Sequence, residues 1–191
     1  MIELDDMGLT IPVRLLRSLA RHASDDPTRP HLAGIVVEPQ RNRLWSTDGT
    51  RALIWSGSPV PGHELEAFSL QRSALEILFG ALGERTRDPV RFTWGYRSAT
   101  ARLAGASLVI DIPQGLAFPP IDLVLSDAAK VRGEAVYDVQ PGFFADAQFL
   151  CDAFGSGQRM RVSPGASEID AVLVTFPHEP QWTLIAMPMR K

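Results

Sequence analysis

The segment Trp182-Thr183-Leu184-Ile185-Ala186-Met187-Pro188-Met189-Arg190-Lys191 closes the sequence with an apolar run where a polar, frayed end is the ordinary case. Its composition predicts a buried strand over Thr183–Met187. Pro188 has no N–H for a sheet ladder, so the strand must leave the sheet there. Met187 and Met189 then flank that exit, and flexible thioethers suit an adaptable apolar pocket. Far upstream, Leu44-Trp45-Ser46-Thr47-Asp48-Gly49-Thr50-Arg51-Ala52-Leu53 places an Asp-Gly turn between two apolar runs. That is the pattern of a strand, a tight turn and a second strand.

Working outward from these two segments, the chain divides into three similar units. In the first, Thr10 is a candidate helix cap and Pro12 suits a first turn. Val13, Leu16, Leu19, Ala20 and Ala23 recur at helical spacing, with Asp25-Asp26-Pro27 as the stop. A strand over His31–Glu38 and the two strands around Asp48-Gly49 complete the unit. The second unit begins with a short strand, Ala67–Leu70. A helix follows over Arg72–Leu82, with Leu75, Leu78 and Leu82 inward and Gly83 as C-cap. Strands are predicted over Val90–Trp94, Thr100–Leu103 and Leu108–Ile112. Pro113 to Asp127 is too apolar for a free linker and is expected to pack while crossing between domains. The third unit has a strand over Ala135–Gln140 and a helix over Pro141–Phe154. Phe144, Ala147, Leu150, Cys151 and Phe154 are assigned inward, and Asp146, Phe149 and Asp152 outward. Strands over Arg159–Val162, Ala171–Phe176 and Thr183–Met187 end it.

Strand–helix–three strands therefore occurs three times, a repeat of architecture with little self-similarity in sequence. Two such units can join their sheets with helices on one side and form a closed domain. The odd third unit has no partner in its own chain. Its helix face and sheet edge are expected to be bare in a monomer, which predicts self-association.

Composition narrows the function classes. The 191 residues are 45% hydrophobic and 21% charged, in the range of globular chains. No apolar run approaches the ~18 residues of a membrane helix. The acidic start, Met1 to Asp6, is unlike a signal peptide, and the single Cys151 excludes an internal disulfide. A cytoplasmic protein is expected, with no membrane partner. The net charge of −3 gives no global nucleic-acid footprint. His22, His31, His63 and His178 show no metal-ligand spacing. Neither a phosphate-cradling Gly-rich loop nor a Gly-x-Ser-x-Gly elbow is present. No catalytic set, metal site or cofactor site is assigned, and the chain is read as a non-enzyme.

The strand–Thr-Asp-Gly-x-Arg–strand segment and the Met-Pro-Met-Arg ending together resemble the bacterial DNA polymerase sliding clamp, the beta subunit of the replicative polymerase. The resemblance implies an α+β fold of DNA-clamp (processivity-fold) units, here three half-domains with helices on one side of the sheets. It divides the chain into residues 1–126, similar to the clamp's middle domain, and 127–191, similar to the second half of its last domain. It also implies a peptide-binding pocket formed by Leu32, Thr47, Thr50, Ala52, Pro119, Val124, Ile185, Met187, Pro188, Met189 and Arg190. Asp48, Gly49, Arg51 and Phe118 match the family's motifs as well. Thr50 stands where a histidine is frequent and Ala52 where a leucine is frequent, which implies a wider pocket.

In clamps, helices carry basic residues that touch phosphates without reading bases. Arg14, Arg17 and Arg21 on the first helix and Arg72 on the second are the matching candidates, with Arg85 and Arg87 beyond. The outward Asp146 and Asp152 of the third helix run against that pattern. Two readings stay open. One is a clamp-like replication protein that contacts or encircles duplex DNA and tethers polymerase-type partners through their clamp-binding peptides. Its assembly would be a homo-oligomer, a tetramer by unit count. The other is a clamp-derived interaction module that keeps the pocket and does not encircle DNA.

Overall fold

The structure is a computed structural model and describes residues 2–5, 8–58, 65–83, 88–95, 97–103, 106–130, 141–154, 159–165 and 170–187. Strands β1 (Glu3–Asp5) and β2 (Gly8–Pro12) lead into helix α1 (Val13–Arg21). Then come β3 (Gly34–Glu38), β4 (Arg43–Thr47) and β5 (Arg51–Ser56). The second unit comprises β6 (Phe68–Gln71), α2 (Arg72–Leu82), β7 (Pro89–Trp94), β8 (Ser98–Leu103) and β9 (Ala106–Asp111). Helix α3 (Ile121–Lys130) follows. The third unit contains α4 (Pro141–Phe154), β10 (Arg161–Ser163), β11 (Val172–Thr175) and β12 (Trp182–Ala186).

The strands form two antiparallel sheets, ordered β1-β2-β7-β8-β9 and β10-β11-β12-β5-β4-β3-β6. The first two units exchange their leading strands. β2 precedes α1 but pairs with β7, and β6 precedes α2 but pairs with β3. The third unit extends the second sheet, because β12 lies antiparallel on β5 from Trp182↔Trp55 to Ala186↔Arg51.

Side chains of period two sort this sheet into two buried faces. Ile35, Val37, Leu44, Leu53, Trp55, Val174, Trp182 and Leu184 face a core shared with Leu16 and Leu19 of α1, Leu75 and Leu78 of α2, and Phe143, Ala147 and Leu150 of α4. Their neighbours Val36, Trp45, Ala52, Ile54, Leu173 and Ile185 face the other way, against Ile121 and Ala128 of α3. A sheet covered on both faces explains why successive residues of β3, β4 and β5 are buried instead of alternating with exposed ones.

The elements depart from the sequence reading at several places. Thr10 and Pro12 belong to β2, not to a helix cap. α1 starts at Val13 without a side-chain cap, and Thr10 Oγ1 accepts from Arg91 Nη1 at 2.9 Å. α1 also ends at Arg21, before Asp25-Asp26. The crossing segment contains α3, whose first turn is anchored by Asp122. Its carboxylate takes hydrogen bonds from Arg41 and from the buried Arg43, and Arg43 also bonds Glu38. On α4 the inward position is Phe143, while Phe144 is 47% exposed. The α4 face is not bare: it packs beside α1 over the common core. Among the described residues, β10 stands at the edge of the second sheet. Residues 131–140, which hold the expected strand Ala135–Gln140, lie outside the described residues.

Candidate functional site

The turn between β4 and β5 is built by its own side chains. Gly49 has φ 92°, a conformation that favours glycine, and a Cβ there would lie 3.0 Å from the Arg29 guanidinium. Asp48 Oδ1 accepts from the Thr50 N–H at 2.8 Å, the Thr50 hydroxyl at 2.7 Å and the Arg51 N–H at 3.0 Å. Its Oδ2 accepts from Arg51 Nε at 2.9 Å. Burial pushes the Asp48 carboxyl up, but these hydrogen bonds, from Thr50 first and then Arg51, outweigh it and hold the group below the usual aspartate value. Thr47 Oγ1 donates to the Arg51 carbonyl at 2.7 Å and accepts from the Gly49 N–H at 3.0 Å. The hydroxyls of Thr47 and Thr50, expected to orient a peptide backbone, are therefore engaged in holding the turn.

β12 brings the other end of the chain to this turn. Ile185 is the Cα partner of Ala52, and the Met187 N–H donates to the Thr50 carbonyl at 2.7 Å. Ala52 and Ile185 are buried and join Val124 and Phe118 in the cluster beneath α3. The Phe118 ring meets Trp45 edge-on with centroids 6.2 Å apart, and Pro119 beside it is half-buried. Leu32 is buried in the turn before β3, with Cδ1 3.9 Å from where a Gly49 Cβ would stand. Thr50 is exposed and Met187 is 44% exposed. Pro188, Met189 and Arg190 lie outside the described residues.

From the turn an ionic chain runs through the sheet to the helices. Arg51 Nη1 bonds Asp146 Oδ2 of α4, and Asp146 Oδ1 is 3.4 Å from Arg21 Nε of α1. Asp146 is 5% exposed, so it points inward and is doubly paired, contrary to the outward placement read from α4. His22 is buried close by and donates from Nδ1 to the Ser18 carbonyl at 2.8 Å, while its buried Nε2 has no partner among the described residues. Desolvation lowers the His22 pKa despite the Ser18 hydrogen bond and the nearby Asp146, so the ring is neutral. Sequence reading missed this chain because Arg51 and Asp146 stand on separate units.

On the helix side, α1, α2 and α4 enclose a groove of about 520 Å³ lined by Arg14, Arg17, Arg21, Arg72, Phe79 and Phe149 among others. The four predicted arginines thus share one surface. The Arg17 guanidinium lies 4.6 Å from the Phe79 ring centroid, and that of Arg21 lies 4.5 Å from Phe149. These cation–π contacts fix the heads over apolar rings. Arg17 also donates to the Phe79 and Gly83 carbonyls at the C-terminus of α2, at 3.3 and 2.9 Å. Arg72 pairs with Glu76 at 2.9 Å. Glu76 and Asp152 stand among the arginines, so the groove is only weakly basic. Arg85 and Arg87 lie outside the described residues.

Among the described residues no group of three His, Cys, Asp or Glu could hold a metal ion, and no helix is long and apolar enough to cross a membrane. Cys151 is half-buried, and burial, aided by Asp152, raises its thiol pKa away from reactivity.

No family profile matches the chain, and no curated protein resembles it in sequence. Solved structures do match in fold. The DNA polymerase sliding clamp of Bacillus subtilis superposes with a TM-score of 0.67 at 14% identity, over 99% of this chain and 66% of the clamp. The beta sliding clamp of C. crescentus gives 0.64 at 16%, over 100% and 68%. The sliding clamp of Bartonella birtlesii, solved bound to griselimycin, gives 0.66 at 15%, over 97% and 66%. The chain spans about two thirds of the length of these clamps, and over that span it has the fold of the bacterial DNA polymerase III beta subunit.

Proposed function

We propose that this chain is a clamp-like replication protein, non-enzymatic, that takes partner peptides beside the Asp48-Gly49 turn and meets duplex DNA with its helix face. The observation that carries the reading is the meeting of two remote segments, with Met187 hydrogen-bonded to Thr50 at 2.7 Å. Around that meeting point stand the apolar side chains of Leu32, Ala52, Val124 and Ile185, with Met187 and Pro119 toward the surface. Mostly apolar walls with few polar groups suit a peptide anchor. Burying one Leu or Phe anchor is worth roughly 1.5–3 kcal/mol. In this reading Pro188, Met189 and Arg190 complete the wall. Residues 1–126 and 127–191 are its two parts, with α3 running across the junction. The assembly is a homo-oligomer, a tetramer if twelve units close a ring, working in the cytoplasm.

The test is calorimetric titration of a short peptide with Leu and Phe anchors into the intact protein and into one lacking residues 187–191, both shown to be folded. The truncation should weaken binding at least about tenfold, which corresponds to ~1.4 kcal/mol. Equal affinity would refute the site. A second reading, an interaction module that does not encircle DNA, is favoured by the groove itself, where Arg17, Arg21 and Arg72 already hold internal partners.

A further inference from the structure

Four charged side chains share their partners in one chain. Arg51 of β5 bridges two carboxylates, with Nε on Asp48 Oδ2 at 2.9 Å and Nη1 on Asp146 Oδ2. Asp146 of α4 in turn bridges two guanidinium groups, because its Oδ1 faces Arg21 Nε of α1 at 3.4 Å. One end of the chain is the Asp48-Gly49 turn, where the Thr50 carbonyl holds the Met187 N–H. The other end is the α1–α2–α4 groove, which Arg21 lines. The two ends are unequal. The Asp146 side chain is 5% exposed, so water does not replace a partner that it loses. The Arg21 side chain is 50% exposed and rests over the Phe149 ring, so it is free to turn toward a ligand in the groove.

We propose that Asp48 and Asp146 compete for Arg51 and that Arg21 sets the outcome: an anion that draws Arg21 into the groove loosens the Asp48-Gly49 turn. With Arg21 in place, Asp146 has one guanidinium for each oxygen, and Arg51 keeps its Nε on Asp48. With Arg21 withdrawn, Arg51 is the cation left to Asp146 among the described residues. The Asp48 side chain is 24% exposed, so solvent screens its hold on Arg51 more than it screens that of Asp146. Arg51 therefore moves toward Asp146. Asp48 keeps its hydrogen bonds from the Thr50 and Arg51 N–H groups but loses the one from Arg51 Nε. The turn then holds Met187 less firmly. Phosphate is the anion class that fits, because its oxygens match a guanidinium fork. Arg14 lines the same groove, with only a long 3.4 Å contact to the Asp152 carbonyl printed on its exposed head. Linkage is mutual, so a peptide that firms the turn strengthens the Arg21–Asp146 pair and weakens anion binding by the same factor. The regulation rests on the proposed function in taking the groove as the DNA face and the turn as the partner site.

The experiment is amide hydrogen exchange on the full chain as wild type, Arg21→Gln, Asp146→Asn and the double variant, with circular dichroism on each. The amides read are those of Thr50, Arg51 and Met187, with the β7–β8–β9 sheet as reference. In Arg21→Gln they should exchange at least about fivefold faster while the reference stays unchanged. The double variant has no carboxylate left to pull on Arg51 and should exchange as the wild type does. No change in Arg21→Gln, a rise shared by the reference sheet, or a double variant no slower than Arg21→Gln would overturn the proposal. Should Arg21→Gln not fold, Asp146→Asn decides. Its turn amides should be at least as protected as in the wild type, and faster exchange there would overturn the proposal equally. A second arm adds a duplex oligonucleotide to the wild type and follows binding by anisotropy. Bound duplex should speed the same amides, and bound duplex that leaves them unchanged would overturn the linkage alone. No binding would overturn the DNA reading, and the anion's part with it, whatever the variants show.

Discussion

Arg51 is the residue on which the site turns. It closes the Asp48 turn on one side and satisfies the buried Asp146 on the other. Arg51→Ala leaves Asp146 with Arg21 alone, and breaking a buried pair costs roughly 3–5 kcal/mol. We expect a loss toward the lower end, because Arg21 remains, read by urea denaturation; a change under about 1 kcal/mol would match a surface ion pair instead. The motif Thr47-Asp48-Gly49-x-Arg51 was legible as a turn, since Asp and Gly have few other reasons to stand together between apolar runs. The second role of Arg51 was not legible, because its partner lies 95 residues away in sequence. His22 gives a pH prediction. Its folded pKa is lowered, so the unfolded chain binds a proton near 6.5 that the folded chain refuses. Stability should therefore rise with pH through 6.5 and fall on acidification below it. His22→Phe should flatten that slope between about pH 5 and 7, where the unperturbed ring titrates. An unchanged slope would place the proton uptake elsewhere. The lowered Asp48 pKa adds stability that is present above the ordinary aspartate value of about 3.9 and is lost only in stronger acid.

Among the described α-helices, α3 was the one that sequence reading left out. Phe118-Pro119-Pro120 promised a break, and the short apolar stretch after it has no cap pattern that separates helix from packed loop. The side chains that decide the matter are distant: Arg43 beneath Asp122, and the outer face of the sheet beneath Ile121. Ile121→Ala should cost roughly 2–5 kcal/mol, as for other buried Ile truncations. Thermal melting would show it, and a negligible shift would mean that α3 is not docked. α1 and α2 were legible from their periodicity, including Gly83 as the stop of α2. The arginine stripe was legible too, but not its stacking on Phe79 and Phe149. This changes the choice of variants. Arg21→Glu would set a carboxylate against Asp146, so neutral replacements of Arg17 and Arg21 with Gln, combined with Arg14→Glu, isolate the DNA term. If α1 meets phosphates, the salt dependence of DNA binding should fall by about 0.9 in log–log slope per contact removed. An identical slope would take α1 off the DNA surface.

At the scale of the whole molecule, the three-unit count came from the repeated strand–helix–strands pattern, which period and turn signals mark well. What the pattern could not convey is how the third unit attaches. Pairing of β12 with β5 depends on which sheet edge is free, and that is a property of the folded first domain. The attachment fuses α4 into the common core and sets Met187 against Thr50. That junction is the proposed partner site. The most direct measurement is amide hydrogen exchange on the intact protein with and without a Leu- and Phe-containing clamp-binding peptide. Peptide bound at the junction should add protection in residues 47–52 and 185–187 with little change in the α1–α2–α4 groove. Protection confined to the groove, or none at saturating peptide, would contradict it.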